Sequence, residues 1–331
     1  MRDFEALERL RARHLMDDVP IDVDERGAVG LLADEVRVPE FLVEGAGCHC
    51  GAGTKWKLYD SEMPLAPIDK VFSGSIPKMY QALMVPLIFE PYAADMADRV
   101  AEISPSRVLE IACGTGVVTR ALDEALDDDA TIVATDLNAA MIEEARSQGT
   151  RREVEWRTAD AMTLPFPDAS FDCVVCQFGA MFFPGKAHAF AEARRVLSPG
   201  GVYLFNVWDR IEDNDFAHVI AQALAKMFPK DPPRFMERTP HGYHDAAVIR
   251  RDLAGGGFPE ADIETLAARS VARTALDPAI AYCQGTPWRS EIEARGSLEE
   301  ATQASARAIE SRFGAGPVDG KIQAHVVTAE R

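Results

Sequence analysis

Basic residues are scarce in this 331-residue chain: 35 Lys and Arg stand against 53 Asp and Glu, a formal net charge of -18. A field of that sign repels polyanions over most of the surface, so nucleic acid is set aside as a partner. The short basic pairs Arg151-Arg152, Arg194-Arg195 and Arg250-Arg251 read as solvated sides of helices or turns. Long apolar runs are lacking too. Residues 82–89 fall well short of the roughly 20 that a spanning helix needs and contain Pro86, so no membrane span is expected. The opening residues, Met1-Arg2-Asp3-Phe4-Glu5, carry charges of both signs with no apolar stretch behind them, which is not a secretory pattern; a cytoplasmic protein is expected. No second Cys/His cluster accompanies Cys48-His49-Cys50, so no metal site is expected. The six cysteines read as reduced thiols, and Cys173 and Cys176, three apart in an expected strand, point to opposite faces and cannot chelate.

What is present is a full globular composition, 47% hydrophobic and 27% charged. From residue 108 onward, short β-branched runs alternate with helical patterns, the mark of βαβ units and a mostly parallel sheet. Strands are expected at 108–111, 130–135, 154–157, 171–176, 202–207, 263–267 and 322–328, with helices at 116–126, 139–147, 186–197 and 246–253. Pro199-Gly200-Gly201 is expected to end the third of these helices and lead into the fifth strand. Two segments fall outside the alternation and read as lids: residues 209–243, interrupted by four prolines and expected to be irregular, and 277–313, expected to be helical. Residues 70–331 form the expected main domain. Residues 1–69 read as an extension or small accessory region, with short strands available near 19–24 and 36–39.

A strand, a glycine turn and a helix follow one another around Glu110-Ile111-Ala112-Cys113-Gly114-Thr115-Gly116, which exposes backbone amides and a positive helix end to a ligand. Two of the three glycines of a dinucleotide fingerprint are present, Thr119 occupies the third place, and Asp136 lies 20 residues after Gly116 where a ribose-binding acid is expected. Taken alone, the loop fits NAD almost as well as other nucleotides. Glu110 shifts the balance: a carboxylate there suits a cationic amino group and would repel a pyrophosphate. Asp160-Ala161, just after the third strand, can meet an adenine edge.

These residues resemble the class I S-adenosylmethionine-dependent methyltransferases, in particular the type 11 methyltransferase domain of enzymes similar to ubiquinone and menaquinone biosynthesis methyltransferases. The likeness runs through 108–116, Thr135-Asp136-Leu137-Asn138 with Met141, Asp160-Ala161 with Leu164-Pro165-Phe166, Phe171-Asp172 through Gln177-Phe178, and 195–201, within residues 72–258. It implies a Rossmann-like α/β fold, a seven-stranded sheet with helices on both faces and its last strand antiparallel, and the two inserted segments read from the residues then follow strands 5 and 6. It also implies S-adenosylmethionine as cofactor. Glu110 and the backbone of Gly114, Thr115 and Gly116 would hold its methionine part, Asp136 the ribose, Leu137 and Met141 the adenine faces, and Asp160 and Ala161 the adenine edge. Gln177 would line the methyl-transfer site, and Tyr80 would cover the cofactor.

The blander readings stand beside these. Asp136 could cap the helix near Ala139, and Tyr80 and Met141 could be core. On the acceptor side, His241 and His244 are the candidate general bases, with turn formation and capping of the next helix as their alternative. Phe182, Phe183, Trp208 and Trp288 are candidates for an apolar pocket wall. The expected activity is methyl transfer to an oxygen, nitrogen or carbon of a small molecule. A nicotinamide-dependent oxidoreductase and a non-catalytic cofactor-binding scaffold remain as rivals, and a homodimer is left open.

Overall fold

The computed structural model describes residues 76–331 and, before them, the backbone of 22–23 and 29–30, which pair antiparallel. The chain separates into two units, Met1–Ser61 and Glu62–Arg331. The short strand expected near 36–39 and Cys48-His49-Cys50 lie outside the described residues.

Seven strands build the sheet of the second unit: β1 (Arg107–Ile111), β2 (Thr131–Asp136), β3 (Glu155–Thr158), β4 (Phe171–Gln177), β5 (Leu197–Trp208), β6 (Asp262–Ala272) and β7 (Val318–Glu330). Their order is β3-β2-β1-β4-β5-β7-β6. Neighbours pair in parallel except β7, which runs antiparallel to both β5 and β6. The expected Rossmann-like fold with a reversed last strand is therefore the fold observed. Val108, Leu109, Glu110 and Ile111 of β1 are all buried, as befits a central parallel strand covered on both faces. Cys173 and Cys176 fall into the two separate hydrophobic clusters on either side of the sheet.

The first helical run, α1, spans residues 76–103: a turn at Ile76–Met79, a π-helical stretch at Tyr80–Phe89 that contains Pro86, and an α-helix at Glu90–Ile103. Then come α2 (Val117–Ala125), α3 (Ala139–Gln148) and α4 (Lys186–Val196) between the strands. In α4, Ala189, Phe190, Ala193 and Val196 form one buried stripe at helical spacing. Pro199-Gly200-Gly201 does not precede β5 but lies inside it. Phe171 pairs with Leu197, the register then slips, and Cys173 pairs with Val202, so the three residues form a bulge with Gly200 at φ +77°.

The first insertion corrects a second expectation. It opens with a thirteen-residue helix, α5 (Asp215–Met227), and only then becomes irregular around the four-residue α6 (Phe235–Arg238). All four prolines lie after Met227, so Phe216, Val219, Ile220 and Leu224 are free to form a buried helical face. After α7 (Ala246–Gly255), the second insertion is helical as expected: α8 (Leu276–Gln284), α9 (Trp288–Glu293) and α10 (Leu298–Phe313).

Trp208, the last residue of β5, pairs with Ala324, yet the β6–β7 pairing continues to Ala272 opposite Val318. A two-stranded ribbon thus stands beyond the carboxyl end of β5, about 20 Å long at roughly 3.3 Å per residue. Both insertions fasten to it. Phe216 of α5 packs where a Cβ on Gly320 would sit, 3.1 Å away, and Asp215 accepts from Lys321 N at 2.7 Å. The second insertion springs from the ribbon's own strands, α10 packs on β7, and Arg312 of α10 reaches Asp215 of α5 at 2.8 Å.

Candidate cofactor and acceptor site

Adjacent strand tips bring the candidate residues together. Glu110 pairs with Ala134 and Ile111 with Thr135, so the loop after β1 sits beside Asp136 at the end of β2. A cleft of about 800 Å³, open to solvent, runs along these tips. Its walls include Tyr80, Gly114, Asp136, Leu137, Met141, Asp160, Ala161 and Gln177, and it continues along Phe178, Gly179, Phe182, Phe183 and Pro184 after β4. Behind the glycine loop lies a much smaller chamber of about 20 Å³, room for about one water molecule, lined by Tyr80, Phe89, Glu110, Gly114, Thr115 and Gln177 among others. Of the sequence candidates for the cofactor, Gly116 alone lines neither cavity. It holds the turn into α2 at φ +79°, where a Cβ would lie 3.1 Å from both Ala145 and Trp156.

Gly114 is also left-handed, φ +54°, but a Cβ there would meet nothing within 4 Å and would project into open space beside the two cavities it lines. Asp136 arranges this loop. One carboxylate oxygen accepts from Gly114 N at 2.9 Å and the other from Asn138 N at 2.8 Å. It therefore ties the two loops together rather than capping the interior amides of α3. Oδ1 also accepts from Asn138 Nδ2 at 3.4 Å, which leaves Oδ2 with a further lone pair for a ligand hydroxyl. Burial raises the Asp136 pKa, and the Asn138 and Gly114 amides pull it back. Leu137 is half exposed beside it, an apolar surface at the mouth of the cleft, whereas Met141 is buried. Asp160 is exposed, and its Oδ1 accepts from Met162 N at 2.9 Å in a local turn.

Glu110 is 1% exposed, and burial pushes its pKa up to about 8 against a weaker downward pull from Thr119 and Arg120. Thr119 Oγ1 donates to Glu110 Oε2 at 2.5 Å. Two further polar atoms of the chamber, Thr115 Oγ1 and Gln177 Oε1, are buried without a hydrogen-bond partner. Leaving such atoms unpaired costs about 1–3 kcal/mol each, so the chamber is built for a polar ligand group. The Glu110 carboxyl and the unmet Gln177 amide oxygen can accept from an ammonium, and the unmet Thr115 hydroxyl can donate to its neighbouring carboxylate; the residues fit the methionine end that the resemblance implies.

On the acceptor side, Phe178 adopts φ +50°, a conformation that costs a non-glycine residue roughly 1–2 kcal/mol. It is held there by Asn206, whose side-chain Oδ1 and backbone oxygen both accept from Phe178 N, at 3.0 and 3.1 Å. Its ring stacks on Trp208 with centroids 3.8 Å apart and planes within 6°. Tyr80 stacks on Phe89 at 5.1 Å, and Phe89 meets Phe178 at 5.5 Å, so one aromatic series joins α1 to the tips of β4 and β5. Gly179 allows this approach, since a Cβ there would come within 2.5 Å of Ala112 Cβ.

Other candidates lie elsewhere. His241 is buried, its Nδ1 bonded to the Asp209 carbonyl at 2.8 Å, and burial lowers its pKa to about 4. His244 Nδ1 bonds to the His241 carbonyl at 2.8 Å, and Asp245 caps α7 through Ala247 N and Val248 N. Neither histidine lines the cleft. Trp208 lies behind Phe178, and Trp288 is wholly buried; Phe182 and Phe183 are the aromatic candidates that reach the cleft. Asn206 and Arg120 were not legible as contributors. Arg120 ties the loop to α1, donating to Thr115 O at 2.7 Å and Gln81 Oε1 at 3.3 Å. Among the described residues no cluster of metal-ligating side chains exists, and no helix is long and apolar enough to cross a membrane.

Comparison with known proteins adds a separate line. A family model described as "Methyltransferase domain" matches residues 109–205. The ubiquinone/menaquinone biosynthesis C-methyltransferase of Teredinibacter turnerae is 39% identical over 167 residues, covering 46% of this chain and 67% of that protein. Its counterpart in Hahella chejuensis is 41% identical over 98 residues, covering 28% of this chain and only 39% of that protein. A Bacillus halodurans structure assigned as a methyltransferase is similar at 20% identity and a TM-score of 0.47, covering 72% of this chain and 97% of its own.

Proposed function

Because the chain belongs to the S-adenosylmethionine-dependent methyltransferases, we propose that it methylates a small molecule held between the strand tips and residues 178–184. The observation that carries this reading is the rear chamber, where Glu110 meets two buried and unsatisfied polar atoms, Thr115 Oγ1 and Gln177 Oε1. S-adenosylmethionine, when bound, supplies a methyl group on a sulfonium, an electrophile that needs neither a metal nor a covalent enzyme intermediate. Glu110, Thr115 and Gln177 would hold its methionine end, Asp136 its ribose hydroxyls, and Leu137, Met141 and Asp160-Ala161 its adenine.

The chain's own part in the reaction is mainly placement. Phe178, Phe182, Phe183 and Pro184 offer an apolar wall to the acceptor and keep water from that side of the cleft. Of the carboxylates, Asp136 and Asp160 line the cleft, both at the end assigned to the ribose and adenine, and among the described residues no histidine does. This favours an acceptor that is nucleophilic without a histidine base, such as a ring carbon activated by an ionised hydroxyl, whose displaced proton passes to water. The named activity of the curated relatives, C-methylation in quinone biosynthesis, is of that kind and extends to this chain as a proposal.

Calorimetry with S-adenosylhomocysteine and with NAD(H), followed by transfer of labelled methyl to a panel of phenolic, enolic and amine acceptors, tests the assignment. Binding of NAD(H) without response to S-adenosylhomocysteine would overturn it. Tight cofactor binding with no turnover across the panel would favour a scaffold instead.

A further inference from the structure

Thr119 stands where a dinucleotide-binding loop has its third glycine, the residue that lets helix and strand approach closely. Here the same place in the first turn of α2 carries a side chain that is fully buried and hydrogen-bonded to Glu110 Oε2. Helix and strand are therefore joined through oxygen atoms of two side chains. Glu110 Oε1 takes no protein hydrogen bond among the described residues, and the carboxyl lines the rear chamber. A carboxyl turns about its last bond with little resistance, so a donor fixed on one oxygen sets the direction of the other.

The remaining groups around Glu110 do not supply that constraint. Arg120, the next residue of α2, commits its guanidinium to Thr115 O and Gln81 Oε1 and acts on Glu110 only through space. Asp136 at the tip of β2 adds a like charge, while Cys113 of the loop, Gln177 of β4 and Tyr80 of α1 complete the surroundings.

We propose that Thr119 is a positioning residue for the ammonium group of the cofactor: its hydroxyl holds one oxygen of Glu110 and turns the other toward the chamber. This deepens the proposed function and rests on the rear chamber being the methionine end.

The test compares the parent chain with Thr119→Val and Thr119→Ser by titration calorimetry with S-adenosylhomocysteine between pH 6 and 8.5. Loss of one hydrogen bond to a charged group predicts binding about tenfold weaker in Thr119→Val at neutral pH. The pH at which affinity stops rising should move upward by about one unit, because the carboxylate has lost a donor. Thr119→Ser restores both. Equal affinity and an unshifted profile in Thr119→Val, or equal losses in Val and Ser, overturn the proposal. If Thr119→Val does not fold, Thr119→Ala is read against the same criteria. Failure of the parent chain to bind the ligand at all would instead refute the proposed function.

Discussion

Replacing Glu110 by Gln separates what the site costs the fold from what it gives the ligand. The carboxyl holds its proton to about pH 8 rather than about 4.5 because it is buried, which puts the cost of ionising it in the folded chain at about 5 kcal/mol. Between those two values the unfolded chain has lost this proton and the folded chain has kept it. Stability of the ligand-free protein therefore falls as pH rises through that window and levels off above it. Glu110→Gln keeps the shape and a partner for Thr119 but cannot ionise. Its stability relative to the parent should rise across pH 5 to 8, with about 5 kcal/mol as the ceiling. Binding should move the other way: S-adenosylhomocysteine affinity falls by about 1.5–3 kcal/mol, roughly 10- to 150-fold, with the lost ion pair. The parent should also release close to one proton per ligand at pH 7, read from calorimetry in buffers of different ionisation enthalpy, and the variant none from this group. Parallel stability curves for parent and variant, together with undiminished affinity, would refute the account of the chamber.

Further outcomes follow from the same geometry. Asp136→Ala removes the acceptor of Gly114 N and Asn138 N and should weaken S-adenosylhomocysteine by about 1–3 kcal/mol, measured by calorimetry. Gly114→Ala places a methyl group in open space at φ +54°; about 1 kcal/mol of stability should be lost in denaturant titration, while cofactor affinity drops at least about tenfold. His241→Leu should destabilise by about 1–3 kcal/mol, since the Asp209 carbonyl loses its 2.8 Å partner and keeps only Asn214 Nδ2 at 3.5 Å, and leave cofactor affinity within about twofold. A large loss of affinity in that variant would return His241 to the site.

How much of this could be read beforehand depends on how local each cause is. Glu110, Gly114 and Asp136 were legible as one group because alternating strands and helices put successive parallel strand ends side by side. The seven strands were legible for the same reason, as apolar runs spaced by helical ones. The inward turn of His241 was not, because it is set by a carbonyl 32 residues away. Nor was the wall made by Phe178, whose left-handed backbone depends on Asn206 across the neighbouring strand. The helix α5 was hidden by prolines that lie only beyond its end, and the bulge at Pro199-Gly200-Gly201 imitates a loop because proline and glycine serve both.

The ribbon of β6 and β7 beyond Ala324 carries none of the residues that line the cleft, yet both insertions are anchored on it. The cleft and the insertions are thus mounted on separate supports, the one on the strand tips and residues 178–184, the other on the ribbon. Exchanging α5, or α8 through α10, for segments of different shape should leave the residues that line the cleft in place. The architecture behaves as a fixed chassis with an interchangeable head, and chimeras joined at the ribbon should keep their affinity for S-adenosylhomocysteine.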